Sequence, residues 1–270
     1  MTDTPAPRPV LLVTGGGRGI GAAVVLLAAA RGYDLGFTYR GDAARAAATA
    51  AAAEAAGAGV LAMRADAGDA AAREACFAAL DARFGRLDAL VNNAGITGPT
   101  GRLDETADAV WEEVLRVNVL GTVGCTRAAV RRMSTRHGGR GGAIVNVSSR
   151  ASEIGGGGEW VHYAASKGAV DTLTIGLSRE LATEGIRVNA VNPGLIDTEL
   201  HAAAGLPGRV ARLSAGVPMQ RGGSAEEVAE AVLWLLSDAA SYVTGALLPV
   251  GVAADQTCWP PLMCISAPFT

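Results

Sequence analysis

The chain has 270 residues, half of them apolar, with a formal net charge of −3 and only 4 % aromatic residues. That length and apolar content suit one large α/β domain, or two small ones, with a sizeable core. The slight acidic balance, with arginines interleaved among acids, excludes the charge pattern of a nucleic-acid or anionic-membrane binder, and no apolar run approaches the roughly 20 residues of a membrane span.

The opening MTDTPAPRPV has no apolar signal-peptide core. PVLLVTG (9–15) is a short apolar run ending in turn residues, which predicts a buried strand. IGAAVVLLAAARG (20–32) predicts a helix closing on Gly32, and DLGFTYR (34–40) a second strand. AARAAATAAAAEAAG (43–57) reads as a helix, since alanine is the best helix former. GVLAMRADA (59–67) is a third strand, 69–85 has helical spacing, and LDALVNNAG (87–95) is a fourth strand ending in a polar turn. Helices are expected at about 106–117 and 119–137, a fifth strand at 143–149, a long helix at about 161–184 and a sixth strand at 186–194. After a looser segment (195–223), a helix at 225–237 and a strand near 246–250 close the pattern. Regular strand–helix alternation predicts a doubly wound parallel α/β sheet of about seven strands with helices on both faces. No Pro/Gly/Ser linker divides the chain, so one domain over 1–251 is expected, followed by an atypical tail at 252–270. The cysteines at 76, 125, 258 and 264 lack metal-binding spacing. Free thiols and a cytoplasmic protein without a metal are expected.

The first strand feeds TGGGRGIG (14–21) and then a helix. Gly15, Gly19 and Gly21 let the backbone turn tightly and approach a pyrophosphate, whose charge the helix N-terminus favours. In such folds an acid after the second strand holds the ribose 2′-OH, whereas an arginine accommodates a 2′-phosphate. Here Tyr39 takes the acid's place, Arg40 follows, and Arg18 sits in the glycine loop, which favours NADP(H) over NAD(H); Asp42, close by, is the residue that speaks for NAD(H).

The chain contains 22 arginines and one lysine, Lys167 in YAASK (163–167). Arginine offers a wide, permanently charged fork; lysine offers a compact charge able to tune proton transfer. Tyr163 and Lys167 lie i and i+4, so they share one helical face. An ammonium there would lower the Tyr163 pKa toward working pH. As a helix-surface cation, Lys167 is expected to add little to stability. Ser149, with Ser148 as its competitor, ends a strand at the carboxyl edge where ligands bind.

With TGGGRGIG, NNAG, Asn118, Ser149 and YAASK in this order, residues 8–250 resemble the short-chain dehydrogenase/reductase family. The resemblance implies a Rossmann fold and a hydride transfer between NADP(H) and a carbonyl or alcohol. It makes Tyr163 the general acid/base, Lys167 its helper on the nicotinamide ribose, and Ser149 the hydrogen-bond partner of the substrate oxygen. Asn118 would hold a water in a proton relay; by itself it also reads as a helix-bend residue. Ile20 would join the glycine loop at the cofactor, and Asp66 and Ala67 would meet the adenine. In NNAG, Asn92, Ala94 and Gly95 would steady the central sheet and line the adenosine side, with Asn93 also at the cofactor. Pro193, Gly194, Ile196 and Thr198 in NPGLIDT would flank the nicotinamide. The helices at 119–137 and 161–184 would pair into a homodimer or homotetramer, with the altered tail putting the tetramer contact in doubt. GGGG (155–158) reads as a surface loop or a mobile pocket wall, and His162 and His201 are not needed by the mechanism. The rival reading is a non-enzymatic dinucleotide-binding regulator on the same fold. A sugar-nucleotide epimerase or dehydratase fits less well, because only about 30 residues separate NPG from the next helix.

Overall fold

Seven parallel strands form one sheet in the order β3-β2-β1-β4-β5-β6-β7. The strands are β1 (Val10–Val13), β2 (Asp34–Tyr39), β3 (Val60–Arg64), β4 (Ala89–Asn92), β5 (Gly142–Val147), β6 (Ile186–Pro193) and β7 (Leu247–Val250). This computed structural model describes residues 8–200 and 204–251. His201 and the tail at 252–270, with Cys258 and Cys264, lie outside the described residues.

Both faces of the inner strands are buried, which is why these read as continuous apolar runs, while the edge strands β3 and β7 are partly exposed. Leu11 and Val13 turn to one face and share a core cluster with Val24, Val25 and Ala28 of α1 (Gly19–Ala30). Val10 and Leu12 turn to the other and meet Phe77 and Leu80 of α3 (Ala70–Phe84). The Ala-rich stretch is helix α2 (Ala43–Ala55), capped by Asp42, whose carboxylate accepts from Arg45 N at 3.0 Å. Asp69 caps α3 in the same way, and Gly85 closes it in the left-handed region at φ 65°.

The two helices expected at 106–117 and 119–137 form one continuous run. Helix α4 (Asp108–Leu115) passes through a π-helical turn, Arg116–Leu120, into α5 (Gly121–Met133). Asn118 lies inside that turn, so its helix-bend reading describes its place; such bulges gather at functional sites. A short helix, α6 (Ala151–Ile154), precedes the glycine run, and α7 (Val161–Leu181) follows it. The looser segment contains α8 (Arg209–Leu213), and α9 (Ala225–Leu236) opens on a Ser224/Glu227 capping box. No helix among the described residues is long and apolar enough to cross a membrane.

The chain runs β1 to β3 in one direction, then returns to set β4 beside β1 and continues outward. The carboxyl ends of β1 and β4 are therefore a topological switch point, where open α/β sheets bind ligands.

Candidate active site

A cleft of about 1000 Å³ runs along the carboxyl ends of the strands. This is the upper end of the ordinary range for ligand pockets, roughly 300–1,000 Å³.

One end is built from bare backbone. Gly15 has φ +69°, and a Cβ added there would stand 3.1 Å from Ala94 Cα, so the glycine loop lies directly against NNAG. A Cβ on Gly21 would collide with the Gly15 carbonyl oxygen, so Gly21 shapes the loop from behind and does not line the cleft. Asn93 Nδ2 donates to Thr14 O at 3.0 Å and Gly15 O at 2.9 Å, tying β4 to the loop. No side chain caps α1, so Gly19 and Ile20 present a helix N-terminus to the cleft that suits a pyrophosphate. The donor set and the side-chain-free approach fit a dinucleotide.

Tyr39, Arg40 and Arg18 line the same end. Asp42, the carboxylate that speaks for NAD(H), lines this end too; it also caps α2 and lies 3.3 Å from Arg45 Nε. Asp66 and Ala67 also line the cleft. Asp66 accepts from Gly68 N at 2.8 Å and is paired with Arg116 at 2.8 Å. Burial pushes its carboxyl up, but the bonds from Arg116 and Gly68 outweigh that and hold it below the usual carboxylate range.

The other end brings Ser149, Tyr163 and Lys167 together with Pro193, Gly194, Ile196 and Thr198. Of the two competing serines, Ser148 is turned inward, its hydroxyl donating to Lys167 O at 3.2 Å. Ser149 lines the cleft and hydrogen-bonds Tyr163. Tyr163 is only 9 % exposed. Burial raises the pKa of its hydroxyl, and the Ser149 bond opposes the rise. The expected lowering by Lys167 is therefore not what this arrangement produces, because desolvation of the phenolate wins. Lys167 is likewise no surface cation. It is 5 % exposed, donates to Val147 O at 2.7 Å, and its Nζ lies 5.7 Å from the Tyr163 ring centre. Burial pushes its ammonium down to about 8, partly opposed by Asp171.

Asn118 does not line the cleft. Its amide accepts from Ile96 N and donates to Ile96 O, both at 2.9 Å, and donates to Ser166 Oγ at 2.9 Å. Its main-chain oxygen accepts from Thr122 Oγ1 at 2.8 Å. These bonds make Asn118 a clamp on the segment following NNAG. Asn92 lies within the sheet, donating to Asn146 Oδ1 at 2.8 Å and Thr126 Oγ1 at 3.0 Å.

Two groups near this end of the cleft, Arg209 and Glu159, carried no signal in the sequence. Arg209 of α8, 6 % exposed, pairs with Glu159 at 2.8 Å and lies 4.7 Å above the Trp160 ring. It joins the segment after β6 to the stretch that leads into Tyr163. Gly156 lines the cleft and has φ +62°, so part of GGGG is pocket wall. His162 is buried against Thr97 and does not line the cleft. Among the described residues no group of three or more His, Cys, Asp or Glu is placed to hold a metal, and Cys76 and Cys125 are buried free thiols.

Residues 15–251 match the family model described as enoyl-(acyl carrier protein) reductase. The uncharacterized oxidoreductase YgfF of Escherichia coli K12 is 51 % identical over 239 residues, 88 % of this chain and 97 % of that one. The cis-4-hydroxycyclohexanecarboxylate dehydrogenase of Sinomonas cyclohexanicum is 42 % identical, covering 89 % and 94 %. A short-chain dehydrogenase from Burkholderia cenocepacia, solved in complex with NADP, superposes with a TM-score of 0.82 at 34 % identity, covering 90 % of this chain and 96 % of that one. A seven-stranded parallel sheet, a glycine loop of bare backbone and a Ser–Tyr–Lys end on one cleft agree with those matches, and the chain belongs to the short-chain dehydrogenase/reductase family of oxidoreductases.

Proposed function

We propose that the protein moves a hydride between NADP(H) and a carbonyl or secondary-alcohol substrate, with Tyr163 as general acid/base. The observation that carries this reading is the convergence of the Ser149 hydroxyl, the nearly buried Tyr163 hydroxyl and the buried Lys167 ammonium at one end of a dinucleotide-sized cleft. The glycine loop and α1 N-terminus would hold the pyrophosphate, Lys167 the nicotinamide ribose, and Arg18 and Arg40 the 2′-phosphate. Bound there, the dinucleotide supplies or takes up the hydride.

The chain's own residues do the rest. In the reducing direction the Ser149 hydroxyl donates to the substrate oxygen and fixes it. Tyr163 gives that oxygen its phenolic proton as negative charge develops. Below about pH 8 Lys167 is an ammonium, and its charge stabilises the resulting phenolate. Oxidation runs these steps backward, with Tyr163 taking the alcohol proton. The NADP-bound Burkholderia cenocepacia relative supports the phosphate assignment.

We further infer a homodimer or homotetramer built on α5 and α7 and a cytoplasmic setting. Leu115, Leu120 and Ile175 stand exposed on and beside these helices. Light scattering on the purified chain checks this, and a monomer at micromolar concentration overturns it.

The deciding experiment is a panel of ketones, aldehydes and alcohols followed by NADPH and NADH absorbance, with titration of both cofactors. Turnover that prefers NADPH is expected. Tight NADPH binding with no turnover on any substrate would favour the regulator instead, and equal affinity for both cofactors would remove the 2′-phosphate assignment.

A further inference from the structure

Tyr163 stands on the first turn of its helix. It is the third residue of α7, and no side chain caps that helix at Trp160. The preceding Gly155, Gly156 and Gly158 all adopt left-handed conformations. The first turn of any helix lacks intrahelical partners for its amides, and uncapped ends fray. A group that must be held for proton transfer therefore needs a tether from outside the helix.

His162 supplies one. It is 1 % exposed, and its Nε2 lies 2.8 Å from Thr97 O. A carbonyl only accepts, so Nε2 carries the proton and donates it. Neighbouring helix residues point about 100° apart; Tyr163 lines the cleft and His162 does not. The imidazole also meets the edge of Trp111 on α4, with ring centres 5.9 Å apart. On the loop side the contact depends on glycine: Gly98 has φ +73°, and a Cβ there would stand 2.9 Å from His162 Nε2. The loop is itself anchored, because Asn118 occupies both polar main-chain groups of Ile96. Ile96 and Thr97 line the cleft.

Resting on the assignment of Tyr163 as the acid/base, we infer that His162 is a positioning residue. Its hydrogen bond to the Thr97 carbonyl ties the uncapped first turn of α7 to the Ile96–Gly98 segment, and so sets where the Tyr163 hydroxyl stands against the substrate oxygen.

The test compares wild type, His162→Phe and His162→Gln. Phenylalanine fills the space without the donor; the glutamine amide can restore a donor at the Nε2 position. The Phe variant is expected to lower kcat about 10- to 100-fold, the scale of a roughly 1 Å misplacement of a reacting group. Its NADPH affinity should be unchanged, and the Gln variant should recover most of the loss. Amide hydrogen exchange of residues 160–166 in the cofactor-free protein gives an independent readout, faster in Phe and near wild type in Gln. If Phe keeps wild-type kcat and exchange, or if Gln is as impaired as Phe, the inference is overturned. If exchange responds as expected while wild type turns over no substrate, the tether stands and the acid/base assignment of Tyr163 fails.

Discussion

The two ends of the cleft are built on opposite terms. At the cofactor end, the charges that would choose between phosphorylated and unphosphorylated dinucleotides are exposed. Arg18 and Arg40 reach into solvent, and the ion pair of Arg40 with Glu113 is loose at 3.9 Å. At the Tyr163 end, Lys167 and Asn118 are almost wholly buried, and burial weakens the hold of Lys167 on its proton. The difference separates two kinds of residue. Exposed charges can select a ligand while contributing little to folding. Buried ones set chemistry and stability together, because the desolvation that tunes them also opposes the folded state.

Substitutions at the two ends should break along this line. The largest effect belongs to Tyr163→Phe, which removes the transferable proton but almost no volume. Turnover should fall by about 10³ or more, near the top of the range for general acid/base groups, with NADPH binding and the thermal midpoint little changed. Wild-type-like turnover by this variant would remove the acid/base role.

Lys167→Arg comes next. It keeps the charge but exchanges a point cation for a wide fork, and turnover should fall roughly 10²–10³-fold, as when other preorganised charges are displaced. Because Lys167 is buried, the larger side chain should also destabilise the fold by about 1–3 kcal/mol, the ordinary range for overpacking. This replaces the expectation that a surface cation would be thermally silent. An unchanged melting temperature would mean that the site opens more readily than its burial implies.

Lys167 also gives a pH test. Its pKa falls from 10.5 to about 8 on folding, so the unfolded chain holds this proton more tightly. Below about pH 8 both states are protonated and the desolvation penalty acts in full. Between about 8 and 10.5 the penalty is relieved and stability rises, by roughly 3 kcal/mol from this group alone; above that window the neutral amine carries no such penalty. Urea unfolding across the window should show this rise in wild type relative to Lys167→Met. Parallel curves would contradict it.

The smallest structural effect is expected from the exposed end. Arg40→Ala should lower the preference for NADPH over NADH about tenfold, the low end for a charge-assisted bond, while leaving the melting temperature and NADH turnover nearly unchanged. A variant that loses both cofactors equally would place Arg40 in general cofactor binding.

The sheet was legible in the sequence because local chemistry decides it. Apolar runs ending in turn residues became β1 to β7, and Gly15 took the left-handed conformation its place in TGGGRGIG requires. The spacing of Tyr163 and Lys167 put both on one face of α7, at one end of the cleft, because helical geometry is fixed by residue count. Other features depended on neighbours distant in the chain. Whether Lys167 is buried depends on Val147 of β5, which takes its ammonium, and the state of Tyr163 depends on how much solvent the fold excludes. Arg209 and Glu159 met across 50 residues, and His162 found Thr97 across 65. Sequence periodicity records which way a side chain faces within its own element. Desolvation and hydrogen-bond partners are set by which elements pack against it, and here that packing decided the ionisation and anchoring of the residues around Tyr163.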